Sequence, residues 1–145
     1  MKILEATQKD SQILAEMATK IWENENVDKL EQEFVEINQS AKDTCFIAFD
    51  GKFPVGFANV SLRFDYVEGT ESSPVGYLEG IFVDENFRNR GIARSLVKSC
   101  EDWAKEKGAK EFASDCLLDN TQSLKFHLAI GFIEANSIIC FKKGL

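Results

Sequence analysis

The chain has 145 residues, 17 of them basic and 24 acidic, for a net charge of −7. That length fits one domain, residues 1–145, able to bury roughly 70% of its unfolded surface without a disulfide or metal staple, and a composition that is 44% hydrophobic with twelve Phe excludes a largely disordered chain. The acidic balance argues against a nucleic-acid partner, and a single histidine excludes a His-rich metal site, so no metal is expected.

Met1–Glu5 shows no basic stretch leading into an apolar run, so no secretion signal is expected. Lys2–Ala6 reads as a short strand. Thr7 or Asp10 can cap a helix through about Glu23, with Ile13, Leu14, Met17, Ala18 and Ile21 on one stripe. A more polar helix is predicted from Val27 to about Gln39, with Leu30, Phe34 and Ile37 inward. Thr44–Phe49 is a strand-like apolar run, and Asp50-Gly51 is a type I′ hairpin signal. In the long returning strand, Ala58, Val60, Leu62 and Phe64 point one way, and Asn59, Ser61 and Arg63 the other.

Glu68 to Pro74 is a loop, and Val75–Val83 another strand. An amphipathic helix from about Gly91 to Lys107 carries Ile92, Leu96, Cys100 and Trp103 on one side and stops at Gly108. Glu111–Asp115 is a short strand. Asp119 or Asn120 caps a helix through Ile130, stopped by Gly131, and Asn136–Lys142 is the last strand. The order β-α-α-β-β-β-α-β-α-β predicts an α/β fold, a mixed sheet with helices on both faces. No apolar run is long enough to cross a membrane. Cys45, Cys100, Cys116 and Cys140 form no C-x-x-C pair and have apolar neighbours, so they read as four buried, reduced thiols of a cytoplasmic protein.

The stretch Tyr77 to Val97 carries the chemistry. A buried strand runs into a loop with Arg88, Arg90 and Gly91, and the loop opens a helix. Unpaired N–H groups at a helix start hold phosphate, aided by the helix dipole. Gly91 and Ala93 let a pyrophosphate approach the backbone, and Arg88, Arg90 and Arg94 add positive charge. The alternative is an ordinary strand–loop–helix joint with solvated arginines.

Arg88-x-x-Gly91-x-Ala93 after Ile81-Phe82-Val83 resembles the acetyl-CoA motif of the GNAT N-acetyltransferase superfamily. Asn120-x-x-Ser123 followed by Gly131-Phe132 resembles that family's N-x-x-A/S helix ending in G-F. Phe64 to Thr70, Ser73-Pro74-Val75, Leu78 to Val83, Glu111 to Asp115 and Leu118-Asp119-Asn120 are similar to the short bacterial aminoglycoside 6′-N-acetyltransferases of type I. The likeness spans nearly the whole chain, strongest from Leu62 onward.

The resemblance implies a mostly antiparallel sheet whose splayed central strands bind acetyl-CoA. Ile81 and Val83, with Phe82 between them, would bond the pantetheine arm through their backbone. The backbone of Asn89, Arg90, Gly91, Ile92, Ala93 and Arg94 would hold the pyrophosphate, and Asn120 would contact the cosubstrate near its thiol end. Relatives of this type are commonly homodimers, and the apolar run Ile138-Ile139-Cys140-Phe141 is a liability at a sheet edge unless paired or covered.

Glu79 lies two residues before Ile81, so alternation puts both on one face. Asp115 ends the next strand, near the expected splay. Two carboxylates at a cleft can hold a protonated amine and accept its proton. Either acid could instead be a strand-end surface charge. Tyr66 and Trp22 lie beside acids and could form aromatic walls for a sugar ring bearing ammonium groups; Trp22 could equally be helix-end core. Asn136 falls where relatives place a substrate-contacting residue.

His127 stands where many superfamily members have a tyrosine thought to protonate the leaving thiolate. A histidine can do that job, or be a helix histidine satisfied by its neighbours. The resemblance implies acetyl transfer to an aminoglycoside 6′-amine by direct attack in a ternary complex. Another small amine, a protein N-terminus, or a non-catalytic acetyl-CoA sensor are the competing readings.

Overall fold

The computed structural model describes residues 1–145. Five strands form one sheet in chain order: β1 (Lys2–Glu5), β2 (Asp43–Asp50), β3 (Phe53–Arg63), β4 (Val75–Val83) and β5 (Phe112–Ala113). The first three pairings are antiparallel and β4 pairs β5 in parallel. Helices α1 (Ser11–Ala18) and α2 (Val27–Gln39) precede β2; α3 (Ile92–Glu106) joins β4 to β5, and α4 (Thr121–Ala129) follows.

Strand alternation divides the core into two layers. On one face Cys45, Ile47 and Phe57 pack with Leu14, Ala15 and Ala18 of α1 and Leu30 and Phe34 of α2. On the other, Ala48, Ala58, Val60 and Leu78 pack with Ile92, Leu96, Cys100 and Trp103 of α3. The expected strands at β2, β3 and β4 and the expected helix at α2 are all present.

Four local expectations give way. First, α1 stops at Ala18 rather than Glu23. The Thr19 hydroxyl donates to the Glu16 carbonyl at 2.7 Å, and Lys20 and Ile21 make tight bonds to the carbonyls three residues back, so the chain turns before Trp22. Second, in the two-residue turn between Asp50 and Phe53, Gly51 has φ +60° and Lys52 does not have positive φ. That pattern suits type II′ rather than I′. Third, Cys45 and Cys100 are buried, whereas Cys116 and Cys140 are exposed because they lie on chain that leaves the sheet; all four are free thiols.

Fourth, no strand forms over Asn136–Lys142. After α4, Phe132 stacks on Phe112 with ring centroids 5.9 Å apart, and Asn136 donates to Glu68 at 2.6 Å. The following chain finds no pairing partner in its own sheet, and Ile138, Ile139 and Phe141 are 63%, 80% and 90% exposed.

Candidate active site

The site is organised by one extra residue in β4. Asn59 faces Gly80 and Val60 faces Leu78, so Glu79 is a bulge opposite β3. The bulge breaks alternation. Ile81 and Val83 join Leu78 on the α3 side, while Gly80 abuts Trp22 and Phe82 packs on the α1/α2 side. Glu79 turns to Ser61 and Arg63, which point away from the α3 core. Glu79 and Ile81 therefore lie on opposite faces, against the expectation from plain alternation.

Glu79 is held from three directions. Its Oε2 accepts from the Ser61 hydroxyl at 2.5 Å and from Arg63 Nε at 2.9 Å; its Oε1 accepts from Arg63 Nη2 at 2.7 Å. The Arg63 guanidinium lies 3.4 Å from the centroid of the Tyr77 ring. The Tyr77 hydroxyl donates to the Asp115 carboxylate. Burial first, and then this bond, push the Tyr77 phenol well above its ordinary value, so it stays neutral and remains a donor. Asp43, opposite Ser61 across β2/β3, is raised by burial and then by the charge of Glu79. Glu79 and Asp115 are thus gathered into one cluster through Arg63 and Tyr77.

Beside this cluster the sheet opens. β5 pairs with β4 only at Gly76–Phe112 and Tyr77–Ala113. From Leu78 to Val83, β4 has no strand on that side, which is the splay the resemblance implies. Ser114, just past β5, lies 3.4 Å from the Leu78 carbonyl and 2.8 Å from His127 Nε2. His127 Nδ1 lies 2.7 Å from the Ser123 carbonyl, which can only accept, so Nδ1 carries the proton and Nε2 accepts from Ser114. The ring is also flanked by Phe126 and Phe132.

The open edge leads to the helix start. Asn89 has φ +62° and Gly91 φ +78°, a left-handed pair that only glycine and asparagine adopt readily. Gly91 caps α3 without a side-chain bond, so the first N–H groups of the helix have no side-chain acceptor. Nothing lies within 4 Å of where a Cβ on Gly91 would sit, leaving room for an anion at the backbone. The arginines are partly occupied: Arg88 Nε donates to the Val83 carbonyl at 3.0 Å, Arg90 lies over Phe87, and Arg94 donates to the Ala129 carbonyl at 3.0 Å. The Asn120 side chain caps α4 by accepting from Ser123 N at 3.0 Å.

Trp22 lies against Gly80, next to the bulge. Tyr66 is 75% exposed in the loop before β4, and its hydroxyl accepts from Gly69 N. Asn136 reaches that loop through Glu68, whereas Glu25 turns away to Lys29. Ser61, Arg63, Tyr77, Asp43 and Ser114 were not among the site residues expected from sequence. The signal for Ser61 and Arg63 was the polar face of β3, two polar residues two positions apart near the end of a strand inside the sheet.

An open-edged β4 feeding an arginine-rich helix start, with a carboxylate cluster alongside, defines a CoA-dependent acyltransferase, and residues 11–132 match the acetyltransferase (GNAT) family. The chain belongs to that family. It is 40% identical over 131 residues, 89% of each chain, to an aminoglycoside N(6′)-acetyltransferase type 1 of Serratia marcescens. It is 35% identical over 145 residues to the enzyme of that name from Acinetobacter haemolyticus, covering 100% of this chain and 99% of that one. Its fold superposes with a TM-score of 0.95, at 36% identity and 99% and 98% coverage, on AAC(6′)-Iy in complex with a bisubstrate analogue, CoA-S-monomethyl-acetylneamine.

Proposed function

We propose that the protein transfers an acetyl group from acetyl-CoA to the 6′-amine of an aminoglycoside, conferring resistance to the antibiotic. The observation that carries this reading is the carboxylate cluster of Glu79 and Asp115 at the bulge, beside the open edge of β4. An ammonium on a sugar ring finds two acids there and an indole wall at Trp22. Tyr66, in the loop before β4, and Asn136, which bonds that loop through Glu68, would contact the sugar from another side.

Acetyl-CoA supplies the activated acetyl thioester. The backbone of Ile81, Phe82 and Val83 would receive its arm as an added strand. The backbone from Asn89 to Arg94 would hold its phosphates, and Asn120 would lie near the sulfur. Glu79 and Asp115 orient the amine and take its proton, since only the neutral amine is nucleophilic. His127, when charged, donates through Ser114, which places a proton beside the open edge for the leaving sulfur. Transfer is direct between the two substrates. Cys45 and Cys100 are buried, with thiols pushed up by that burial, and His127 faces a serine instead of a cysteine.

The exposed run Ile138-Ile139-Cys140-Phe141 supports a homodimer in which this arm lies on a second copy, because an extended apolar segment left in water invites pairing. Four free thiols suit a reducing cytoplasm. No helix is long and apolar enough to cross a membrane.

Mass spectrometry of the product from acetyl-CoA and a kanamycin-type aminoglycoside tests the assignment: one added acetyl group at the 6′-nitrogen is expected, and no product with any aminoglycoside would overturn it. Glu79→Ala is expected to lower turnover strongly. Ile139→Asp is expected to shift sedimentation from dimer to monomer; a wild-type monomer at micromolar concentration would remove the dimer.

A further inference from the structure

We propose that Arg63 is a positioning residue for the transfer reaction, holding the Glu79 carboxylate in one orientation toward the incoming amine. The inference rests on the acetyltransferase reading above and adds to it a residue at the end of β3, outside the cosubstrate motif.

The geometry is a planar fork. Arg63 Nε and Nη2 donate to the two oxygens of Glu79 at 2.9 and 2.7 Å, the bidentate pairing that fixes a carboxylate plane as well as its charge. The Ser61 hydroxyl takes a further direction on Oε2. A carboxylate offers about four lone-pair directions, so one remains, on Oε1. Glu79 can therefore accept from one ammonium and from little else.

Arg63 is itself fixed. Its guanidinium stacks on Tyr77, whose hydroxyl is bonded to Asp115, and it feels the charges of both Glu79 and Asp115. The charged and titratable groups gathered here are Asp43 from β2, Arg63 from β3, Tyr77 and Glu79 from β4, and Asp115 after β5. Arg63 is the one cation among three carboxylates. Without it, the Glu79 carboxylate loses both bonds of the fork and keeps only the Ser61 hydroxyl to orient it. A lysine in its place keeps the charge but loses the fork and the stack.

The pair is half-exposed, with Arg63 and Glu79 side chains 43% and 27% accessible. It adds little to stability, so Arg63→Ala and Arg63→Lys should fold, as circular dichroism can verify. For Arg63→Ala, kcat/KM for a kanamycin-type aminoglycoside is expected to fall about tenfold to a hundredfold, with the KM for acetyl-CoA unchanged. In Arg63→Lys, which keeps the charge but loses the fork, kcat/KM should fall as well.

Guanidinium chloride at low, non-denaturing concentration should restore part of the Arg63→Ala activity, where potassium chloride does not. A crystal structure of Arg63→Ala should show Glu79 in more than one orientation, a result read without turnover. No guanidinium rescue together with Glu79 in a single orientation in the Arg63→Ala crystal structure, or a lowered KM for the aminoglycoside, would overturn the proposal. The lowered KM would make Arg63 a competitor for the amine's place. Wild-type protein that acetylates no aminoglycoside would instead overturn the proposed function, leaving the crystal structure to decide the role of Arg63.

Discussion

Gly80→Ala adds one methyl group at the point where the bulge meets Trp22. Its Cβ would lie 2.9 Å from Trp22 Cη2 and 3.1 Å from Cζ2. Carbon atoms pack at about 3.5–4.0 Å, so the indole must retreat by about 0.5–1 Å. Overpacking costs about 1–3 kcal/mol. Trp22 is only partly buried and can move, which puts the expectation near the lower end, about 1 kcal/mol, or a fall of about 3–4 °C in Tm. The same retreat withdraws the proposed sugar wall, so KM for the aminoglycoside should rise severalfold while KM for acetyl-CoA stays put. Thermal melts in a double-mutant cycle with Trp22→Phe isolate the contact, because phenylalanine lacks the colliding atoms. If Gly80→Ala lowers Tm equally with Trp or Phe at position 22, the steric reasoning is wrong.

Phe57 is fully buried and meets Phe34 edge-on at 5.8 Å between β3 and α2; Phe57→Ala should cost about 3–5 kcal/mol in urea unfolding, a large fraction of the roughly 5–15 kcal/mol that holds a domain together. The raised Asp43 is destabilising when charged: its contribution is fully favourable below the unfolded carboxylate value and is lost as pH rises through the higher folded value. Asp43→Asn should therefore raise Tm at pH 7, with the gain shrinking toward pH 4 and vanishing below it. In thiol labelling, Cys116 should react promptly, whereas Cys45 and Cys100 should react only after unfolding. Cys140 should be slow in a dimer and fast once Ile139→Asp releases the arm. His127→Phe should lower kcat and leave both KM values near wild type.

Much of this protein was written locally. The apolar run of β2, the alternation in β3, the stripe of α3 and the Asn120 cap depend on neighbours a few residues away, and each is present in the fold. The turn at Asn89–Gly91 proposed to hold the cosubstrate's phosphates is likewise made from contiguous backbone. Glu79 and Asp115 could be picked out as acids beside a strand pair, but their surroundings could not. Arg63, Tyr77 and Asp43 meet them only across strands, 16, 38 and 36 residues away in sequence for the pairs Arg63–Glu79, Tyr77–Asp115 and Asp43–Glu79.

Three features belonged to the tertiary structure alone. The bulge at Glu79 is a mismatch between two strands and has no signature in either, yet it decides which face Glu79 and the β4 residues after it present. The stop of α1 before Trp22 follows from a threonine bonding back to its own turn, which an apolar stripe does not reveal. The continuous apolar run within Asn136–Lys142 reads as a strand, but a strand exists only where another chain segment offers its hydrogen bonds. The sequence by itself determined the order of elements through α4 and the loop–helix joint at Gly91, because those are local. Register, facing and partnership required the folded sheet, because they are relations between segments distant in the chain.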